Sequence, residues 1–537
     1  MSRLLLVCAI CVAALAVPWQ MWAFVTQRRR RRARWTRRAL LFLALGTGVL
    51  SGRIEPALAQ TADSPPTAAP AAQAGTAETT VAGPKADAQQ FGFFRRLFNA
   101  YVDEFKDTGE SGPEPPRRAM PSPWDGPFPG SEYQGYPLIG VPYSTKQWPL
   151  MKALSGTAIG DWMNENRISV YGWFTGEGNW SSSSHSNLVD SYWIDPNTPN
   201  LDQALIRFER PVDSVQQDHI DWGFRSTWFY GIDYRYTTAG GWFSDQLLKH
   251  NYLYGYDPTE QYVDVYFPRV AQGMIVRVGR WIATPDIETQ FAPDNYMGSH
   301  SLLFTYDTYT QTGVMASFQL SKNWMVQAGV HAGTDMAPWY AGAVPTGFLG
   351  VRWVAPSNND SVYLVLNSIN TAKFQRFTLD GQPAGHDNFN YLVGTWTHRF
   401  TPMIFTATES YYMWQRDAVV GGTPSIGPVR SFGGGGGIGK DLPGLSNTYG
   451  ILNYTLFGLS KRDYLTVRNE WWRDERGERS GFKSTYTSNS LGWSHALSDV
   501  FIIRPEVGYF HSYDTKAFDL GNKNYLWQGG IDVTLRY

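Results

Sequence analysis

Along most of this chain, charged side chains alternate with large aromatic and aliphatic ones. Trp222, Phe224, Trp228, Tyr230, Ile232, Tyr234 and Tyr236 share one face of a period-two pattern. Gly223, Arg225, Thr227, Asp233 and Arg235 share the other, with Phe229 the exception. Further stretches read the same way put Arg207, Arg277, Arg399, Arg468 and Arg504 on the polar face, with Asp264, Glu409, Glu470, Glu506 and Asp532. An Arg or Lys on the lipid face at the bilayer midplane costs roughly 2–4 kcal/mol, so if the aromatics meet lipid these charges face an interior. Opposite signs around a wet interior set up a transverse field, and charged rings of this kind tune which ions pass. The competing reading is that pairs such as Arg468 with Glu470, or Arg504 with Glu506, neutralise each other and fill a narrow interior. A second group, Asp286, Glu288, Asp294, Asn295 and His300, falls in one long connection, 283–311. That pattern suits a loop folded inward as a constriction, and nearly as well a loop capping the surface.

Enzymatic chemistry has little support. The run Gly434 to Lys440 imitates G-x-x-x-x-G-K, but Asp441 stands where Ser or Thr should hold magnesium, and Pro443 disfavours a following helix. The nine histidines are scattered, so a Ser–His–acid arrangement rests on chance alone. No H-E-x-x-H or comparable metal spacing occurs. The expectation is a non-enzyme with no cofactor and no metal.

The elements that must position the charges read as sixteen strands. They lie near 167–176, 201–210, 219–237, 260–269, 272–282, 312–321, 323–333, 347–354, 361–370, 389–400, 402–414, 448–460, 463–474, 484–497, 500–512 and 525–537. Connections after odd-numbered strands are mostly long (177–200, 238–259, 283–311, 334–346, 371–388, 415–447), and those after even-numbered strands mostly short. A soluble sandwich has no reason to sort its loops; an outer-membrane barrel does, with short periplasmic turns and long external loops. The predicted fold is therefore all-β, a transmembrane antiparallel up-and-down barrel of about sixteen strands over 165–537, with both ends of the barrel on the periplasmic side.

Composition agrees. Aromatics make up 15% of the chain, mean hydropathy is -0.32, and no apolar run of roughly 20 residues follows the N-terminal 59. The formal net charge is -1, but residues 1–59 carry +9, which leaves -10 for the rest and argues against a nucleic-acid partner. Arg28 to Arg38, Ala39 to Leu50 and Ala57-Leu58-Ala59 follow the order of an export signal, with cleavage after Ala59. The rival is a membrane helix at Leu4 to Val25. Both cysteines, Cys8 and Cys11, fall in the segment to be lost, which suits an oxidising periplasm. Residues 60–150 read as a disordered and Pro-rich periplasmic linker, broken near 89–106 by a short amphipathic helix bearing Phe91, Phe94, Leu97, Phe98, Tyr101 and Phe105.

The final strand places Tyr537, Leu535, Val533, Ile531 and Trp527 on one face, and Arg536, Thr534, Asp532 and Gln528 on the other. A terminal aromatic on such a strand resembles the assembly signal read by the barrel assembly machinery, with Tyr537, Leu535 and Val533 as its residues. The chain also resembles the β-barrel porin-2 family of OmpL-like porins over roughly 165–537. The resemblance rests on RVGRW (Arg277 to Trp281), then Glu288, Asn295, His300-Ser301 and Thr312-Gly313-Val314. It implies a passive channel and no particular substrate; the expected setting is the outer membrane of a Gram-negative bacterium, with lipid, small hydrophilic solutes and a homo-oligomeric partner as contacts. The rival from another class is a non-conducting structural barrel, an anchor or adhesin. N-terminal sequencing of the outer-membrane form should begin at or near Gln60; a mature chain retaining Leu4 to Val25 would refute the export reading.

Overall fold

A strand in hydrocarbon cannot leave its N–H and C=O groups unpaired, so alternating stretches of this kind are stable there only as a closed sheet. The computed structural model describes residues 91–106, 116–123, 127–129, 136–190, 192–283, 286–379, 381–421 and 439–537. The first nine strands are β1 (Ser169–Ser181), β2 (Pro199–Arg210), β3 (Asp221–Gly231), β4 (Gly255–Phe267), β5 (Met274–Ile282), β6 (Thr310–Gln319), β7 (Trp324–His331), β8 (Thr346–Val354) and β9 (Asp360–Ile369). A hairpin follows, β10 (Gln375–Leu379) and β11 (Gln382–His386). The rest are β12 (Asn390–Thr401), β13 (Ile404–Val419), β14 (Asp441–Gly458), β15 (Asp463–Asp474), β16 (Ser484–Ser498), β17 (Phe501–Ser512) and β18 (Tyr525–Arg536).

All of these except the hairpin form one closed antiparallel barrel of sixteen strands, in which β9 pairs with β12 and β18 returns to β1. At the seam Phe174 lies opposite Leu535 and Gly176 opposite Val533. Short links (211–220, 268–273, 320–323, 355–359, 402–403, 459–462, 499–500) sit at one end, and most links at the other end are longer. The outer face is aliphatic at mid-height, where Val263, Val278, Val314, Leu364, Leu392, Leu491 and Ile531 are exposed. Aromatics bound it, with Trp222, Trp324, Trp396 and Trp493 toward the short links and Trp180, Tyr230, Tyr412, Trp471 and Trp527 toward the long ones. Such paired girdles mark the two membrane–water interfaces. Among the described residues no helix is long and apolar enough to cross a membrane.

The structure corrects the third strand. The sequence pattern runs to Tyr236, yet β3 ends at Gly231, where any Cβ would meet the Asp202 carbonyl oxygen at 1.9 Å. The chain then turns inward through α-helical Tyr234–Thr237, so Ile232, Tyr234 and Tyr236 are buried at 0–2% exposure rather than lipid-facing. Alternation persisted in the sequence because a protein-filled interior also takes aromatics. Other boundaries move too: β1 runs on to Ser181, β4 begins at Gly255, β13 ends at Val419 and β14 begins at Asp441. The run Lys440-Asp441 leads into a strand, not a phosphate-binding helix.

The expected helix is present as α1 (Phe93–Lys106), at the short-link end. It packs on α2 (Pro149–Leu154), with Lys152 paired to the buried Glu104, and the Tyr101 hydroxyl donates to the Arg536 carbonyl at 3.0 Å. Phe94 and Phe98 remain exposed. The described parts of 116–142 lie in the same end of the lumen: Phe128 packs on Phe405 and Tyr464, Tyr136 on Tyr363, and the Ser122 hydroxyl accepts from Arg352 at 2.6 Å. The export segment and the stretch 60–90 lie outside the described residues. The Tyr537 hydroxyl donates to the Leu205 carbonyl at 2.7 Å, and its ring lies against Phe174. Deleting Tyr537 removes these seam contacts and should lower the fraction of heat-modifiable folded barrel on gels; an unchanged fraction would count against its role as an assembly signal.

Candidate functional site in the barrel lumen

Residues 286–309, between β5 and β6, cross the interior and meet the opposite wall through ionic side chains. Glu470 on β15 accepts from the backbone N–H groups of Leu302 at 3.1 Å and Leu303 at 2.5 Å, and from the Ser488 hydroxyl at 2.8 Å. Those two N–H groups open the single turn Leu302–Thr305, where unpaired amides favour an anion. Arg468 donates to the Ser299 carbonyl at 3.1 Å and its hydroxyl at 3.0 Å. Glu506 accepts from Gly298 at 2.9 Å and Ser299 at 3.1 Å. Arg504 pairs with Asp532 (2.5 Å at the closest) and donates to the carbonyls of Ala292 and Asn295 at 2.7 and 2.8 Å. Glu409 on β13 accepts from Ile287 at 2.9 Å.

Within the loop, Glu288 takes the Ser301 N–H at 3.0 Å, the Ser301 hydroxyl, and the Tyr454 hydroxyl at 2.6 Å, with Arg468 3.9 Å away. Burial raises its carboxyl pKa above the ordinary value, and Arg468 opposes that rise. Asn295 binds Thr289 and His300. The His300 ring stacks on Tyr192 at 3.7 Å, and burial pulls its pKa down to about 3, so it stays neutral at physiological pH. Asp294 lies at the loop's edge, 3.6 Å from Arg536.

The facing wall carries a ladder of arginines. Arg207 pairs with Glu260 at 2.9 Å, Arg225 with Glu209 at 2.8 Å, Arg277 with Asp264 at 2.8 Å, and Arg280 with Asp257 at 3.0 Å. Arg207 also lies over the Phe291 ring of the loop at 4.6 Å. A cavity of about 330 Å³ opens toward the short-link end, lined by Glu209, Arg225, Asp264, Arg277, Tyr262 and residues 136–138 and 141–144. Asp233 and Arg235, read from the sequence as wall residues, sit instead in the inward turn after β3. There Asp233 accepts from Gln203 at 2.9 Å, and burial lifts its carboxyl pKa to about 7.

Of the inward residues singled out in the sequence, Arg399 bonds the Asn358–Asn359 turn at the short-link end, and the others differ in how far they are enclosed. Arg225, at 27% side-chain exposure, touches the vestibule, whereas Arg277, Glu409, Arg468, Glu470 and Arg504 are at most 5% exposed. The charges are spent largely on holding polypeptide. Sequence reading missed Glu209, Asp257, Glu260 and Arg280 on the wall strands, and participants from loops besides. Loop 182–198 enters the lumen too, with Leu188, Val189, Tyr192 and Trp193 buried. Asp307 is also buried, close to Asp286 and Glu409. Loops have no period, and no local spacing joins residues so far apart.

The sequence profile of the family described as "Putative beta-barrel porin-2, OmpL-like" matches residues 167–535. No curated protein matches the chain. Solved structures similar to it include an anion-selective porin from Comamonas acidovorans, at 9% identity over 69% of this chain and 99% of that one, TM-score 0.42. OprB of Pseudomonas putida is similar at 10% identity over 71% and 96%, TM-score 0.43. The outer membrane channel DcaP of Acinetobacter baumannii is similar at 9% identity over 69% and 97%, TM-score 0.42.

Arg504→Ala would leave Asp532 buried and uncompensated, a change that costs about 3–5 kcal/mol. The urea midpoint of the folded barrel should fall accordingly, and Arg504→Met combined with Asp532→Met should recover much of the loss. A double variant no better than the single would mean that the loop carbonyls, not the ion pair, dominate.

Proposed function

The chain belongs to the beta-barrel porin-2, OmpL-like family, and we propose that it is an outer-membrane porin giving ions and small hydrophilic solutes a narrow, charge-lined route for passive diffusion. One observation carries this reading: the inward loop is tethered mainly to β13–β18, while the arginine ladder on β2–β5 borders a vestibule open toward the short-link end. A sixteen-stranded barrel is wider than its own wall side chains can fill, so its bore is set by what folds into it. Here the route narrows where Arg207 meets Phe291, and passage requires that contact or residues 136–144 to shift. In this reading Arg28 to Ala59 exports the chain in a Gram-negative bacterium, and the barrel assembly machinery reads Tyr537, Leu535 and Val533.

The filled interior favours one other reading, a structural barrel that conducts nothing. Protein reconstituted in planar bilayers separates the two. The porin should give ohmic, stepwise currents, and replacing residues 287–305 by a short Gly-Ser link should raise the unitary conductance several-fold. A folded barrel silent at every voltage, with and without that loop, would move the assignment to the structural barrel.

A further inference from the structure

The inward loop starts and ends on carboxylates that lack a counter-charge. Asp286 stands at its beginning, Asp307 near its end, and both reach Glu409 on β13. One carboxylate oxygen from each lies within 4.8 Å of the other two. Asp307 is 2% exposed and Glu409 1%, while Asp286 is half-buried. Both oxygens of Asp307, Oδ1 of Asp286 and Oε1 of Glu409 find no donor, and Asp286 lies within hydrogen-bond reach of Asp307 and Glu409, so the three acids face one another. The nearby guanidinium of Arg479 is engaged elsewhere, on the Asp387 carboxylate at 2.6 Å and the main-chain carbonyls of Tyr306 and Asp307. A second, independent observation points at the same spot. The Tyr391 hydroxyl on β12 is buried, without a partner, and sits in the field of Asp307, Asp286 and Glu409 together.

Orphaned buried acceptors are rare in folded proteins, and each calls for an ion, a water or a proton. Three acids gathered at one spot, with a buried hydroxyl in their field and no imidazole or thiolate among them, make a hard donor set that suits calcium or magnesium rather than zinc or copper. Burial favours the larger ion: Ca²⁺ accepts about 6–8 oxygens in flexible geometry, whereas Mg²⁺ demands a regular octahedron and keeps several waters, which a cluster this buried leaves little room for.

We propose that Asp286, Asp307 and Glu409 bind one divalent cation of the calcium class, with the Tyr391 hydroxyl as a further oxygen donor, and that the ion staples both ends of the inward loop to β13. The site is independent of conduction, since a sealed barrel could hold the same ion. It also explains how a chain with no metal motif could hold a metal: the ligands come from two loop ends and a wall strand that only barrel closure brings together.

The full-length barrel, folded in EDTA and then exchanged into chelator-free detergent, should be titrated with Tb³⁺, whose emission Tyr391 and the adjacent Tyr411 can sensitise. One saturable phase is expected, displaced by Ca²⁺ at much lower concentration than by Mg²⁺, and lost in Asp307→Asn and Glu409→Gln. Thermal unfolding adds a readout that a merely structural cluster would not move. Calcium should raise the unfolding temperature of the wild type but not of Asp307→Asn, while in EDTA that variant should match or exceed the wild type because mutual repulsion is relieved. Folded wild type with no saturable phase, a phase unchanged in both variants, or an unfolding temperature indifferent to calcium would overturn the proposal. Should the variants fail to fold, displacement by Ca²⁺ and the calcium-dependent unfolding of the wild type decide it.

Discussion

Hydrocarbon offers no partner to a backbone N–H or C=O, and the rest of this structure follows from that constraint. It forces the sheet to close, so β18 must return to β1, and closure divides every strand into a lipid face and a lumen face. Aliphatic and aromatic side chains take the first. The second inherits all the charge that lipid rejects, which is why Arg277, Arg468, Glu470, Arg504 and Asp532 crowd the interior.

Interior charge creates a second problem, because ions enclosed by protein need partners as much as backbone does. The solution is reciprocal. A long loop drawn into the lumen brings N–H and C=O groups that no strand ladder satisfies, and leaving each unpaired would cost about 1–3 kcal/mol. Glu470 and Glu506 take loop N–H groups, and Arg468 and Arg504 take loop carbonyls. Loop and wall complete one another, so neither is stable in this arrangement without the other. The arginine ladder on β2–β5 follows a different plan, pairing mostly with acids on neighbouring strands, and this leaves Arg225 free to border the vestibule.

The same logic marks where the arrangement is incomplete. Most inward carboxylates accept from a backbone amide, a hydroxyl or a guanidinium, but the trio Asp286, Asp307 and Glu409 keeps oxygens with none. That trio ties the loop's two ends to the wall. A cation there would hold the loop at the two points where it leaves and rejoins the wall.

The period-two alternation by itself determined the barrel, its strand count and the inward or outward sense of residues such as Arg468 and Ile531, because the side-chain period of a strand is a local property. The sorting of long and short connections determined that the barrel has a short-link end and a long-link end. Alternation cannot say where a strand leaves the membrane: it continues to Tyr236, while β3 ends at Gly231, a position where the nearby Asp202 carbonyl leaves no room for a Cβ. Nor could it say what an inward charge would meet. Whether Arg504 faces water or the Ala292 carbonyl depends on a loop more than two hundred residues away, and the Asp286–Asp307–Glu409 group exists only once β13 stands beside both ends of that loop. Loops carry no periodic signal, and contacts between them and a distant wall are made by closure of the sheet, which no short stretch of sequence contains.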